Sequence, residues 1–192
     1  MLWPAAAKNV LKIGPDREVV SVYPYRSACP KAVWGELVES AKKEIFFGGY
    51  TNYFVFLDQP AFHRTLQEKI SQGVRVRFLL GDPDSAVTRQ REQIEDVALS
   101  VSTRIRIAQE NLAKVGAREG LEVRYSADED AVNHVGLSVF RFDDDALVCT
   151  HLARLVGHDS PMMHLRKRDE QGMFDRFAEH AEELWDRGRP AS

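Results

Sequence analysis

The stretch "NHVGLSVFRFDDDALVCTH" (residues 133–151) decides the fold class of this sequence. Apolar and polar residues alternate on both sides of the acidic segment "FDDDA", which predicts two antiparallel strands joined by a tight turn. His134, Gly136 and Ser138 then share strand parity, so we expect them on one face of the sheet. The alternative interpretation of His134 is a surface histidine beside a turn.

Helix-then-strand units precede this hairpin at intervals of about 30 residues. Short apolar runs predict the strands, and apolar residues spaced by three or four predict the helices. The predicted elements are a strand at 18–24, a helix at 29–43, a strand at 44–50, a helix at 59–73 and a strand at 74–82. This alternation is typical of a single α/β domain with a mostly parallel or mixed central sheet flanked by helices.

The rest of the chain completes the same pattern. Residues 86–115 carry apolar side chains at a mean spacing of about 3.5, which predicts one long amphipathic helix. Asp84 or Ser85 would cap that helix. A strand at 120–126, a short strand at 162–167 and a helix at 173–185 are also predicted.

Composition narrows the class of protein. The 192 residues are 44% hydrophobic and carry a net charge of −3, which suits one globular domain without a broad nucleic-acid-binding face. Cys29 and Cys149 show no disulfide framework, and no secretion signal or apolar membrane span is present, so we expect two free thiols in a cytoplasmic protein. Residues 1–17 are predicted to be a lead-in and residues 18–188 the domain.

The order of elements resembles the phospholipase D-like fold, through "VWGELVESAKKEIFFGGY", "HRTLQEKISQGVRVRFLLGDPDS", a long helix and a hairpin. In that superfamily the motif His-x-Lys-x-x-x-x-Asp carries the chemistry, with His as nucleophile and Lys on a phosphate oxygen. The resemblance aligns Gly136 with the His, Ser138 with the Lys and Asp143 with the Asp, and Thr150 falls near the small hydroxyl residue that follows. It therefore implies a catalytically degenerate member, because neither Gly136 nor Ser138 supplies the lost groups.

A second resemblance covers nearly the whole chain. "LWP" (2–4), "VYPYRSACPKAVWGEL" (22–37), "SVFRFDDDALVCTH" (138–151) and "MMHLRK" (162–167) are similar to a C-terminal domain of actinobacterial helix-turn-helix regulators of the XRE type. The resemblance implies the effector half of a transcriptional regulator that forms a homodimer. DNA would be contacted only through a helix-turn-helix domain that is not present in this chain.

Eight residues are candidates for binding a small-molecule effector beyond the strand ends. They are Arg77, Asp82, His134, Ser138, Asp143, Thr150, His151 and Arg166. For Arg77 the alternative is an ion pair with an acidic residue of a neighbouring helix, and for Asp82 it is a role in shaping the turn. Four histidines fall between 134 and 164, but their spacing matches no zinc motif, so neither a metal nor a cofactor is expected.

Three functions remain open from the sequence. The first is a degenerate sensor domain whose ligand shifts the arrangement of a dimer. The second is a phosphodiesterase or nuclease that uses His134 or His151 in a non-standard site. The third is a dimerisation module without a ligand.

Overall fold

The computed structural model describes residues 12–59, 61–116, 119–152, 156–168 and 170–191, so most of the predicted lead-in lies outside the described residues. The strands are β1 Val19–Tyr23, β2 Glu44–Gly48, β3 Arg75–Leu80, β4 Leu121–Tyr125, β5 Leu137–Phe142, β6 Asp145–Thr150, β7 Met162–Arg166 and β8 Arg189–Pro190. The helices are α1 Lys31–Ser40, α2 Phe54–Asp58, α3 Phe62–Ser71, α4 Ala86–Glu95, α5 Val101–Ala113, α6 Ala131–Gly136 and α7 Met173–Arg187. Single 3-10 turns lie at Arg26–Ala28 and Gly157–Asp159.

Across the described residues, the strands form one mixed sheet in the order β1-β7-β6-β5-β2-β3-β4-β8. Strands β2, β3 and β4 are parallel, and β5 pairs with β2 in the antiparallel direction. The predicted α/β class and mixed central sheet are confirmed.

Helices cover both faces of the sheet. On one face, α1, α2, α3 and α5 pack on the apolar side chains of β2 and β3, including Phe47 and Phe78. On the other face, α7 inserts Leu184 and Trp185 against Phe46 and Leu79. Because both faces of the central strands are buried, β2 and β3 are apolar along most of their length.

The single helix predicted for 86–115 is wrong, because the chain turns a corner between α4 and α5. Asp96 ends α4 in the left-handed conformation (φ 46°), and Ser100 begins α5 by accepting a hydrogen bond from the Thr103 backbone N–H. The apolar spacing continues across this corner and hides it. Ser85 caps α4 as one of the two predicted capping residues.

The start of the predicted hairpin also needs correction. Residues 131–136 form α6, so His134 and Gly136 lie on a helix and do not share a strand face with Ser138. The strands β5 and β6 pair from Leu137–Thr150 to Phe142–Asp145, which confirms the hairpin itself. The short helix α2 has no counterpart among the predicted elements.

Asp143, at the hairpin turn, fixes the start of β2. Its carboxylate accepts hydrogen bonds from the backbone N–H groups of Lys42 (2.8 Å), Lys43 (3.0 Å) and Glu44 (2.8 Å). Burial alone would raise the pKa of Asp143, but these donors outweigh it and hold the pKa below its usual value. The residue therefore links β5 to β2 at the sheet end opposite to Ser138.

A partly buried charge cluster ties α7 to the sheet. Arg77 contacts Glu44 (2.7 Å) and Glu182 (2.6 Å), and Arg141 contacts the same two carboxylates. The Arg77 guanidinium also lies over the rings of Phe46 and Trp185. Arg77 therefore forms the predicted alternative, an ion pair with a neighbouring helix.

We predict that Asp143→Ala lowers the free energy of unfolding by about 2 kcal/mol at pH 7, because three backbone donors lose a charged acceptor. Asp144→Ala is the matched control, since Asp144 is the exposed neighbour in the same turn. The difference between the variants should shrink as the pH falls below the ordinary aspartate pKa of 3.8, because the depressed folded-state pKa stabilises only the ionised form. Urea unfolding measures it, and equal stability of both variants at pH 7 would contradict this role.

Candidate functional site

A polar cleft lies at the carboxyl end of β2, on the sheet face that carries α1, α2 and α5. Its floor is formed by the residues that follow β2 and by the start of β5, where Gly48 pairs with Val139. The lining residues are Arg26, Gly49, Tyr50, Thr51, Asn52, Tyr53, Phe54, Arg91, Glu95, Val101, Arg104, Val135, Ser138, Phe140, His151, Gly157 and His158. The end of a sheet strand is the usual ligand position in parallel α/β proteins.

Glycine is required at the floor of the cleft by close packing. A Cβ atom on Gly49 would lie 2.3 Å from the Asn52 Oδ1 atom and 2.9 Å from the Phe140 ring. Asn52 adopts a positive φ of 50° and donates its amide to the backbone oxygens of Phe47 and Leu79. The sequence "GGYTN" (48–52) therefore folds tightly against β5.

Ser138 and His151 form the centre of the cleft. The Ser138 Oγ atom lies 2.8 Å from the His151 Nε2 atom, across the paired ends of β5 and β6. Burial, followed by the positive charge of Arg26, lowers the pKa of His151 to about 4. His151 is therefore neutral at pH 7, and its ring can donate or accept a hydrogen bond to Ser138 or to a ligand.

Three arginines surround this pair. Arg91 (2.8 Å) and Arg104 both contact the carboxylate of Glu95. The side chains of Arg91, Arg104 and Glu95 are almost fully buried. Among the described residues that line the cleft, the formal charges are those of Arg26, Arg91, Arg104 and Glu95, which leaves an excess of two positive charges. Buried positive charge of this kind favours a bound anion.

Arg26 contributes the least compensated of these charges. Its guanidinium lies 3.8 Å from the centroid of the Phe54 ring, and within the described ranges it forms no ion pair, although the Asp58 carboxylate acts on it from a longer distance. A Cβ atom on Gly157 would lie 3.1 Å from His151 Cε1 and 3.2 Å from Arg26 Nη1, so the glycine permits both side chains to approach. Burial lowers the pKa of Arg26, which reflects the cost of holding its charge there.

The structure brings together two of the eight candidate residues, Ser138 and His151. Arg77 lies on the opposite face of the sheet under α7, and Asp143 lies at the opposite end of β5. The remaining candidates, Asp82, Arg166 and Thr150, do not line the cleft. Asp82 binds the Asp84 backbone N–H and pairs with Arg189, Arg166 pairs with Asp145, and Thr150 is exposed at the end of β6.

His134 lies in the core beside the cleft and does not line it. The ring is fully buried against the edge of Tyr50, and neither ring nitrogen has a hydrogen-bond partner. Burial is the main cause that lowers the pKa of His134 to about 3, so this side chain is neutral. Neither alternative considered from the sequence, strand-face ligand or surface histidine, matches this position.

Four charged residues of the cleft were missed from the sequence: Arg26, Arg91, Glu95 and Arg104. Arg26 begins the 3-10 turn Arg26–Ala28, and its backbone N–H donates to the Ser160 oxygen, which belongs to a segment far away in the sequence. Arg91 and Glu95 pair within α4, and Arg104 reaches Glu95 because the chain turns between α4 and α5. The capping serine at 100 was the available signal for that turn.

Within the described residues, no group of three or more His, Cys, Asp or Glu side chains is placed to hold a metal ion. The described helices include none that is long and apolar enough to cross a membrane. Cys29 and Cys149 are both buried free thiols, as predicted.

The fold is that of the phospholipase D-like class. The chain is similar to Nuc from Salmonella typhimurium, a phospholipase D family member, with 13% identity over 89% of this chain and 97% of Nuc and a TM-score of 0.52. It is similar to NucT from Helicobacter pylori, with 11% identity over 89% of this chain and 98% of NucT and a TM-score of 0.52.

A third similar structure is TrmBL2, an archaeal chromatin protein, with 17% identity over 91% of this chain and a TM-score of 0.53. This chain spans about half of TrmBL2, 54% of its length. No curated protein matches the sequence. The chain belongs to the family described as "Domain of unknown function (DUF5919)", whose model matches residues 17–192.

We predict that the His151 ring stays neutral from pH 8 to about pH 5, and that Arg26→Gln raises its pKa by removing the second cause of the shift. Neutral His151 stabilises the fold above pH 6.5, and this contribution is lost as the pH falls toward 4, because the folded pKa is the lower one. An NMR titration of the histidine ring protons measures the pKa of His151. The signal that is missing from the spectrum of His151→Gln is assigned to His151. A midpoint near 6.5 in the unmodified domain would contradict the described environment.

Proposed function

We propose that this domain is a catalytically degenerate, phospholipase D-like effector domain of a bacterial transcriptional regulator, and that it binds a small anion in the arginine-lined cleft. The observation that carries the proposal is the excess of buried positive charge around Ser138 and His151. Binding would act on transcription by favouring one arrangement of a homodimer.

The loss of the catalytic groups supports binding rather than hydrolysis. No His-x-Lys sequence occurs in the chain. Gly136 lies exposed at the end of α6, and an added Cβ atom there would meet nothing within 4 Å, so packing does not require the glycine. Ser138 is a neutral hydroxyl at the position aligned with the Lys, and the arginines supply positive charge from other elements.

The regulatory part of the proposal rests on two similarities. The sequence resembles the C-terminal domain of XRE-type regulators, and the fold resembles part of TrmBL2, whose structure shows a novel mode of DNA binding. The net charge of −3 agrees with DNA contact through a separate domain.

We also propose that the domain is a twofold homodimer, the commonest symmetric oligomer. Ile94, Val97 and Leu99 expose apolar surface at the corner between α4 and α5, beside the cleft. Sedimentation of the purified domain tests the proposal, and a monomer at micromolar concentration would contradict it.

A phosphodiesterase is the second candidate, because a Ser138 hydroxyl hydrogen-bonded to a neutral histidine is the arrangement of a nucleophile and its base. The pKa of His151, about 4, makes it a weak base at pH 7. Hydrolysis of a chromogenic phosphodiester that disappears in Ser138→Ala and in His151→Ala would favour this candidate over the degenerate domain.

We predict that inorganic phosphate binds the domain at low ionic strength and raises its thermal midpoint by mass action. Arg26→Gln should weaken phosphate binding about tenfold or more, since one charge-assisted hydrogen bond is lost. Calorimetric titration measures the affinity.

Arg75→Gln is the matched control, because Arg75 pairs with Glu122 on the surface outside the cleft. Equal weakening by both substitutions would show that phosphate responds only to overall charge. If no oxyanion binds, the proposal of an anion site is wrong, and the interpretation as a dimerisation module that has no ligand is favoured.

A further inference from the structure

A second cavity adjoins the polar cleft. It is an apolar trough between α1, α2 and α3, with a cavity volume of about 320 Å³, and it opens to solvent. Its apolar lining is Cys29, Trp34, Val38, Phe47, Val55, Leu57 and Phe62. The cleft and the trough share four lining residues, Arg26, Tyr53, Phe54 and His158.

Arg26 stands at the junction of the two cavities. Its guanidinium lies on the Phe54 ring, which is part of both linings, and it has no carboxylate partner among the described residues. On the cleft side it is close to His151, and Ser138 lies behind that ring. On the trough side, Trp34 and Phe54 meet edge to face, with ring centroids 5.3 Å apart.

The two surfaces differ sharply in chemistry. The cleft presents guanidinium groups, which bind carboxylates and phosphates through paired hydrogen bonds. The trough presents aromatic and aliphatic side chains, and its charged rim residues Lys31 and Asp58 neutralise each other at 2.7 Å. A ligand that fits both surfaces needs an anionic head and an uncharged tail.

We propose that the effector is a single-chain amphiphilic oxyanion, with its phosphate or carboxylate head on Arg26 in the cleft and its alkyl tail in the trough. This inference rests on the proposed function and specifies the ligand of the same site. Tail burial supplies affinity that a small anion lacks, and the arginines select against uncharged hydrophobic molecules.

The test is a calorimetric series of ethyl, butyl and hexyl phosphate, all below their micelle concentrations, with hexanol as the uncharged comparison. Each buried methylene should tighten binding about fourfold, so hexyl phosphate should bind on the order of 10²-fold more tightly than ethyl phosphate. Arg26→Gln should weaken every phosphate in the series. Hexanol should bind far more weakly than hexyl phosphate.

Leu57→Asp tests the trough, because Leu57 is 59% exposed and its replacement leaves the core intact. It should weaken hexyl phosphate more than ethyl phosphate. Val132→Asp is the matched control, since Val132 is 63% exposed on α6 and lines neither cavity. Circular dichroism verifies that both variants are folded.

The outcomes separate this inference from the proposed function. If the affinity is independent of the alkyl chain length but is lost in Arg26→Gln, the proposal of an amphiphilic ligand is wrong and the proposal of an anion site stands. Hexanol binding as tightly as hexyl phosphate also overturns the amphiphile, because the trough would then be a neutral apolar site. If none of the phosphates binds, both the amphiphilic ligand and the anion site are contradicted.

Discussion

The antiparallel pairing of β5 with β2 is the constraint on which the rest of this structure depends. It places Val139 opposite Gly48, so Ser138 lies at the carboxyl end of the parallel strands. It places Arg141 opposite Phe46, where its guanidinium joins Arg77 in the charge cluster under α7. One register thus sets both the cleft and the attachment of the last helix, and a slip by one residue would exchange the two faces.

The hairpin turn holds that register. Asp143 adopts a positive φ of 52° and accepts three backbone N–H groups at the start of β2. In this chain it is therefore a structural residue, at the end of the sheet opposite to the cleft. Asp143 stands at the Asp position of the motif that the sequence resembles, and the hairpin uses this carboxylate to hold its register independently of any reaction.

Much of the fold could be predicted from the sequence, and less of the site. The strands β2 and β3 and the hairpin are local patterns of apolar residues. The corner between α4 and α5 could not be seen in this way, because apolar spacing continues through it while Asp96 and Ser100 break the helix. Ser138 was found through the aligned motif, and His151 was found by its place at the end of the second hairpin strand. Arg26 was not found, because a single residue in a short 3-10 turn gives no periodic signal for its contact with a segment far away in the sequence.

The central claim is that the cleft beside Ser138 and His151 is an anion site. Crystals of the domain grown with tungstate test it most directly, because tungsten scatters anomalously and its position is unambiguous. We expect an anomalous peak in the cleft, within hydrogen-bond distance of Arg26 and of Ser138 or His151. A fully occupied ion elsewhere on the surface, with the cleft empty, would contradict it.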